Sequence, residues 1–237
     1  MARDRSAGAL RPVSIEAGFL KNRAGSVLYS SGATRVLCVA SLEEGVPRFR
    51  VDSGLGWATS EYELMPGSTV PRNSRERGGK LSGRTQEIQR LIGRSLRAVL
   101  DFEALSGYTL KIDCDVVEAD GGTRTASISG AYVAAQLAFR DALEKGQLKK
   151  NPFAGSVAAV SVGIVDGVGL LDLDYSEDSK AEVDLNVVTN GEGALLEVQG
   201  TAEGRPFSRA QLDELLDLAE GGLQKIRTAQ AQALGDA

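Results

Sequence analysis

Two arginines lie at predicted helix starts, where the physics favours phosphate binding. Arg84 opens the stretch GRTQEIQRLIGRSLRAVLD, and Arg124 follows the glycine turn of ADGGTRT. The first turn of a helix combines unpaired backbone N–H groups with the positive end of the helix dipole, and both favour an anion. The two segments predict a phosphate held between these arginines. The open alternative is that both guanidiniums are only solvated.

Two aspartates, six residues apart, form a second candidate cluster: Asp178 in an expected turn and Asp184 on the strand that follows. In this arrangement both carboxylates can face one point. Two carboxylates with water and phosphate oxygens make an incomplete Mg²⁺ shell. The alternative, an acidic and solvated hairpin, stays open because four further acids lie nearby: Asp172, Asp174, Glu177 and Glu182.

Composition limits the chemistry further. The 237 residues include no histidine and carry a net charge of −5. The absence of histidine excludes Ser-His-Asp and Cys-His nucleophilic schemes, histidine-based ribonuclease chemistry and His-ligated zinc. Chemistry on RNA must then use carboxylates, arginines, a hard metal ion or an external nucleophile. The acidic charge does not exclude a local basic groove, because phosphate contacts act within about 8 Å.

Residues 84–101 show helical periodicity. Apolar residues at three- and four-residue spacing predict an amphipathic helix on a core: Ile88, Leu91, Ile92, Leu96, Val99 and Leu100. On the opposite side Arg90, Arg94 and Arg97 form a predicted basic row along the helix.

The rest of the chain alternates strands and helices. Strands are predicted at 13–19, 26–29, 34–40, 109–117, 157–165, 170–174, 182–190 and 195–200. Helices are predicted from the GGTR turn to about residue 145 and from a capping box at 208–211 to residue 226. Residues 43–79 are expected to be irregular, and residues after 227 to fray. The pattern indicates an α/β (α+β) fold in which sheets pack against helices.

Three long segments resemble the bacterial ribonuclease PH family: GRTQEIQRLIGRSLRAVLD, IDCDVVEADGGTRTASISGAYVA and DLDYSEDSKAEVDLNVV. The likeness runs from Leu10 to about Ile226. It implies one ribonuclease PH domain over residues 1–237, with pseudo-repeated halves at about 10–150 and 151–227 and a tail at 228–237. The implied architecture is the family's duplicated βαβ-type core, which is similar to ribosomal protein S5 domain 2.

The resemblance also implies roles for the candidate residues. By likeness to the family, Arg84 and the triad Gly122, Thr123 and Arg124 bind inorganic phosphate, the co-substrate. Asp178 and Asp184 correspond to aspartates that are catalytic or linked to Mg²⁺. The implied activity is phosphate-dependent 3′→5′ trimming of tRNA precursors and other RNA 3′ ends. Two alternatives remain: a non-catalytic RNA-binding ring subunit, and a Mg²⁺-dependent hydrolase that releases monophosphates.

The family closes six subunits into a ring, a trimer of dimers, and Arg72 and Arg75 resemble its assembly arginines. Arg90, Arg94 and Arg97 are the candidate RNA contacts of such a ring. Gly67 replaces an arginine usual in the family, and the loop is about one residue shorter near Arg77. Both departures bear on a single subunit contact.

The expected location is the cytoplasm. The N-terminus lacks an apolar signal core, and no apolar run approaches the roughly 20 residues of a membrane helix. Cys38 and Cys114 lie in strand-like apolar runs without CxxC spacing, so buried free thiols are favoured over a disulfide.

Overall fold

Two β-sheets and the helices around them make up the structure, a computed structural model that describes residues 3–76 and 81–236. Sheet one has the strand order β1-β2-β3-β5-β4. Its strands are β1 (Val13–Ala17), β2 (Gly25–Ser31), β3 (Thr34–Glu44), β4 (Trp57–Leu64) and β5 (Tyr108–Glu118). Strands β4 and β5 are parallel, and helix α1 (Gly83–Arg97) lies in the connection between them.

Sheet two is antiparallel, with the order β7-β6-β8-β9. Its strands are β6 (Val157–Val165), β7 (Val168–Leu171), β8 (Val183–Asn190) and β9 (Leu195–Ala202). The short helix α3 (Tyr175–Asp178) lies between β7 and β8. This order places the two central strands, β6 and β8, side by side.

Helix α2 (Thr123–Glu144) is packed between the sheets, against β2 and β3 on one side and β6 on the other. A helix enclosed in this way is apolar or small all round, and the buried residues of α2 include Ile128, Ala131, Val133, Ala135 and Phe139. Helix α4 (Arg209–Leu234) packs against β6 and β7. The expected α/β class, with sheets packed against helices, is confirmed. None of the helices in the described ranges is long and apolar enough to span a membrane.

Helix α1 ends earlier than its periodicity predicts. It stops at Arg97, although Val99 and Leu100 are buried as expected. Leu100 instead forms an isolated β-bridge with Phe153, and the N–H of Asp101 donates to the Pro152 carbonyl at 2.7 Å. The last apolar residues are therefore buried in the turn and the β-bridge that follow the helix.

The expectation of an irregular segment at 43–79 was wrong for β4. Along this strand Ala58, Ser60 and Tyr62 are buried while Thr59 and Glu61 are exposed. Burial alternates along the strand, but small and polar residues occupy the inward positions. The sequence therefore lacks the alternation of apolar and polar residues that predicts a strand. Much of the rest of the segment lacks regular structure, apart from short 3-10 turns at Arg48–Arg50 and Pro66–Ser68.

Helix α4 is longer than predicted, and the expected fraying after residue 227 was wrong as far as Leu234. The Gln230 side chain is buried and donates to the carbonyls of Ser129 and Val157, both at 3.0 Å. Arg140 binds the Asp236 carboxylate at 2.7 Å beside the end of the helix. These partners come from distant parts of the chain, so an Ala/Gln-rich composition did not reveal them.

The two cysteines are free and buried, as predicted. Cys38 and Cys114 face each other across β3 and β5. Hydrogen bonding with Cys38, together with burial, raises the pKa of the Cys114 thiol well above its ordinary value. A thiol in such surroundings is held in its unreactive, protonated form.

Candidate active site

A cleft of about 410 Å³ lies beside the N-terminal end of α2, with walls from both halves of the chain. Its lining includes every residue that the sequence predicts for phosphate binding and catalysis: Arg84, Gly122, Thr123, Arg124, Asp178 and Asp184. The two clusters predicted separately therefore form one site. The lining also includes Ser161, Tyr175 and Asn186, which the sequence did not single out.

The turn Gly121-Gly122 joins the segment that is predicted to bind phosphate to the part of the chain that carries Asp178. Both glycines have positive φ, 74° and 66°, a conformation that other residues rarely adopt. A Cβ on Gly121 would lie 2.5 Å from the carbonyl oxygen of Leu173. Glycine is required here because the segment before α3 packs directly on the turn, and this contact brings Asp178 to the start of α2.

Thr123 begins α2 and is buried, with its hydroxyl 2.9 Å from the hydroxyl of Tyr62. Burial raises the pKa of Tyr62, which keeps its proton available for donation. When Tyr62 donates, Thr123 keeps its own hydrogen for an acceptor in the cleft. In the described part of the chain no side chain caps this helix start, so its first N–H groups remain available to an anion.

Arg124 is oriented by a triangle of polar contacts. Its Nη2 lies 2.9 Å from Oε2 of Glu87 on α1, and its Nη1 donates to Oε1 of Gln199 on β9 at 3.3 Å. Gln199 Nε2 donates in turn to Glu87 Oε1 at 3.1 Å. Side chains from two other elements, α1 and β9, thus hold the guanidinium at the cleft. The sequence did not indicate Glu87 or Gln199, and Gln199 lies 75 residues beyond Arg124.

Arg84 is exposed in the first turn of α1. Ser82 caps this helix, and its Oγ accepts from the N–H of Thr85 at 3.1 Å. Glu76 accepts from the Ser82 N–H and from the Thr85 hydroxyl, each at 2.9 Å. Hydrogen bonding to the side chain and backbone of Ser82, and to Thr85, lowers the pKa of Glu76. The capped start of α1 therefore fixes the backbone from which Arg84 reaches the cleft.

The aspartates face the same cleft with different environments. Asp184 is half-buried on β8; burial and the charge of Asp178 raise its pKa to about 6, although Arg124 and Arg84 oppose the shift. Asp178 lies at the exposed mouth of the cleft, where partial desolvation raises its pKa and the same arginines counteract it. The two carboxylates are thus close enough to repel each other and to feel both cations.

The N-terminal segment holds α3, and with it Asp178, in place. Arg3 donates to both carboxylate oxygens of Glu177 at 2.9 Å, and Arg5 binds the same carboxylate at 3.0 Å. Glu177 also completes a capping box with Asp174 at the start of α3. The sequence did not reveal these partners, because Arg3 and Glu177 are 174 residues apart.

A third arginine of the same segment, Arg11, supports the glycine turn. Arg11 is buried and binds Asp172 through two nitrogens, Nη2 at 2.7 Å and Nε at 3.0 Å. Its Nη1 also donates to the carbonyl of Asp120, directly before the turn. Burial alone would lower the pKa of Arg11. The hydrogen bond and the charge of Asp172 outweigh this effect, so the pKa of Arg11 is raised. The ion pair ties the turn of the first half to the second half.

The predicted basic row is only partly exposed. Arg90 and Arg94 are exposed, and Arg94 pairs with Glu197 at 2.5 Å. The Arg97 guanidinium instead packs 4.9 Å from the centre of the Trp57 ring and donates to the Ala58 carbonyl at 3.1 Å. In this chain Arg97 therefore supports the start of β4, and its contact with RNA stays a prediction.

The arginines predicted to support subunit assembly lie on the surface between β4 and α1. Arg72 and Arg75 are both exposed. Burial and the charge of Glu63 raise the pKa of Asp115 on β5, and the charge of Arg75 opposes this shift. Gly67 lies in the 3-10 turn Pro66–Ser68, with open space where a side chain would be. The shortening predicted near Arg77 lies outside the described residues.

Models of one protein family match both halves of the chain. Domain 1 of the 3′ exoribonuclease family matches residues 9–140, and domain 2 matches residues 155–222. The chain belongs to the 3′ exoribonuclease family. The cleft lies between these two family domains, since Arg84 and the GGTR turn come from the first and both aspartates come from the second.

Relatives within the 3′ exoribonuclease family cover nearly all of the chain. Ribonuclease PH of Synechococcus sp. (strain CC9605) is 61% identical over 224 residues, which are 94% of this chain and 90% of that protein. Ribonuclease PH of Parasynechococcus marenigrum (strain WH8102) is 58% identical over 233 residues, 98% and 93% of the two chains. The predicted resemblance to ribonuclease PH is confirmed.

A solved structure shows the same fold at lower identity. One chain of the Archaeoglobus fulgidus exosome with RNA bound to the active site superposes with a TM-score of 0.80 and 22% identity, over 94% of this chain and 90% of that one. At that identity the likeness concerns the fold alone. It does not favour the alternative of a non-catalytic ring subunit over the ribonuclease PH activity.

Proposed function

We propose that this protein is a phosphate-dependent 3′→5′ exoribonuclease that trims tRNA 3′ extensions and releases nucleoside 5′-diphosphates. The observation that carries the proposal is the gathering of Arg84, Arg124 and two aspartates in one cleft of a chain without histidine. The cations suit inorganic phosphate as the nucleophile, and such a reaction needs no histidine base.

The reaction balances without water. An oxygen of hydrogen phosphate forms a bond to the phosphorus of the last phosphodiester, and the bond from that phosphorus to the 3′-oxygen of the preceding nucleotide breaks. The departing 3′-oxygen needs a proton to become a hydroxyl group, and hydrogen phosphate supplies that proton. Arg84 and Arg124 neutralise the phosphoryl oxygens, while Thr123 and the first N–H groups of α2 orient the nucleophile.

We also propose Mg²⁺ as the cofactor. Within residues 3–76 and 81–236, no three carboxylate, thiol or imidazole side chains gather at one point. Asp178 and Asp184 would provide two carboxylates, and Mg²⁺ often binds through one or two carboxylates together with water and substrate phosphate. The repulsion between these two carboxylates fits Mg²⁺ binding, because a bound divalent cation would offset the repulsion. When bound, the ion supplies charge neutralisation at the departing 3′-oxygen.

The deciding experiment identifies the product. The protein is incubated with a tRNA that carries a 3′ extension, with and without inorganic phosphate, and the released nucleotides are separated. We expect nucleoside diphosphates that appear only with phosphate. The Asp184→Asn variant, purified in the same way, controls for a contaminating nuclease. Equal degradation without phosphate, with release of monophosphates, would contradict the proposal and indicate the hydrolase.

For the assembly, we propose the homohexameric ring of the ribonuclease PH family, located in the cytoplasm. Arg72 and Arg75 are exposed cations on a segment with little regular structure, and a subunit contact would give their ten N–H donors partners. A closed ring would also bring together the exposed Arg90 and Arg94 of several subunits. Such a surface can hold tRNA although each chain has a net charge of −5.

Replacing Arg72 and Arg75 together by alanine is expected to give smaller species that lose tRNA trimming more than phosphate binding. The physical reason is that the proposed contact loses its donors while the cleft keeps all its residues. Sedimentation velocity measures the species. The matched control replaces Arg205 and Arg209, two exposed arginines away from the cleft. A double variant that sediments as wild type, with unchanged tRNA affinity, would show that both arginines are only solvated.

A further inference from the structure

One face of sheet two changes from apolar to polar as it reaches the cleft. On β6, Val157 and Ala159 face the core that includes α2, and Ser161 is the next residue on that face. On β8, Val188 faces the same core, and Asn186 and Asp184 follow in the direction of the cleft. Because side chains alternate along a strand, these polar residues share the face that borders the phosphate-binding turn.

Ser161 presents a buried hydroxyl without a partner. The residue is 4% exposed, and its Oγ is completely buried with no hydrogen-bond partner among the described residues. A Cβ built on Gly122 would lie 3.7 Å from this oxygen, so the hydroxyl lies directly behind the phosphate-binding turn. Buried polar atoms nearly always have partners, and an exception inside a binding cleft indicates a group that arrives with the ligand.

Asn186 lies directly opposite Ser161 on the neighbouring strand. It is 5% exposed and lines the cleft, two residues from Asp184. The next strand places Gln199, which orients Arg124, opposite Asn186. A row of three neutral side chains on β6, β8 and β9 therefore forms the floor beneath the charged residues of the site.

We propose that Ser161 and Asn186 bind the oxygens of a phosphoryl group in the cleft. The inference rests on the proposed function, because Arg84 and Arg124 are what place a phosphoryl group there. A serine hydroxyl and an asparagine amide donate hydrogen bonds without adding charge. They therefore orient a phosphoryl oxygen without the increase in affinity for the product that further cations would cause. The group is that of inorganic phosphate or that of the last phosphodiester of RNA.

The test is binding without turnover, in two arms. Wild type, Ser161→Ala and Asn186→Ala are titrated with inorganic phosphate in the absence of RNA, and with a short 3′-hydroxyl RNA in the absence of phosphate. We expect affinity to fall about tenfold per variant in at least one arm, as for loss of a hydrogen bond to a charged group. The arm that changes identifies the phosphoryl group.

Thermal unfolding separates binding from packing. Removing an unpartnered hydroxyl should leave the melting temperature of unliganded Ser161→Ala unchanged or raised. The control Ser129→Ala removes a hydroxyl that bonds Ala159 at 3.1 Å outside the cleft; it should lower the melting temperature and leave both affinities unchanged. Ser161→Cys, which replaces the hydroxyl by a slightly larger and weaker donor, should bind with intermediate affinity.

Unchanged affinities in both arms for Ser161→Ala and Asn186→Ala would overturn the proposal and assign the floor to packing. Neither arm depends on which nucleotide is released. The proposed function is tested separately by the products of wild type, so monophosphate release would reject phosphorolysis while the RNA arm still reports on Ser161.

Discussion

Replacing Asp184 by asparagine is expected to nearly abolish RNA degradation and at the same time to make the folded protein more stable at neutral pH. Loss of the carboxylate removes half of the proposed Mg²⁺ ligands, and we expect turnover to fall on the order of 10²–10³-fold. The stability gain follows from the pKa of Asp184, which burial and Asp178 raise from 3.8 to about 6.

The sign of the pH dependence follows from proton binding. Between pH 3.8 and about 6 the folded protein binds the proton of Asp184 more tightly than the unfolded chain. Stability therefore falls as pH rises through this window, and the full destabilisation persists above it. The shift of roughly two units corresponds to about 1–3 kcal/mol, which the asparagine variant should recover.

Chemical denaturation of wild type and Asp184→Asn at pH 4 and pH 7 measures the effect. The variant should gain stability at pH 7 and little at pH 4, with metal-free samples in both cases. Asp178→Asn is the matched control, because it should also stop turnover and lower the pKa of Asp184. An asparagine variant that is no more stable at pH 7 would show that Asp184 carries no electrostatic strain.

The second large effect is expected at Arg124. Its replacement by alanine should remove about 2–4 kcal/mol of transition-state stabilisation. This loss lowers kcat/KM for phosphate roughly 30- to 1000-fold. Part of the loss comes from Glu87, whose carboxylate would lose its cation 2.9 Å away and repel phosphate. Combining Arg124→Ala with Glu87→Gln should therefore restore some activity.

Steady-state kinetics with varied phosphate at saturating RNA measures this effect. Glu87→Gln alone is the control; it keeps one of the two acceptor oxygens of the triangle and should weaken phosphate use only slightly. If Arg124→Ala leaves kcat/KM for phosphate unchanged, the guanidinium is a structural partner of Glu87 and Gln199, and phosphate is held elsewhere.

Local patterns predicted the parts of the site that depend on neighbouring residues. Arg84 and the GGTR turn are readable because helix starts and positive-φ glycines have short sequence signatures. The spacing of Asp178 and Asp184 is likewise local. These features, with the strands of sheet two and helix α2, were predicted close to where the structure has them.

The supporting contacts were not predicted, because their partners are far apart in the chain. Arg3 with Glu177, Arg11 with Asp172, and Gln199 with Glu87 are separated by 174, 161 and 112 residues. No periodicity links such pairs. Strand β4 was missed for another reason, since its buried positions are held by small and polar residues that carry a weak hydrophobic signal.

The ion pairs of the N-terminal segment have a consequence for synthesis on the ribosome. Arg3, Arg5 and Arg11 are made first, yet their partners at residues 172–177 follow more than 160 residues later. At about 5–20 residues per second this delay is roughly 10–30 s. A nascent chain that ends before β8 has Arg84 and Arg124 but lacks Asp184 and Gln199, the residue that orients Arg124. The site is therefore complete only in a nearly full-length chain.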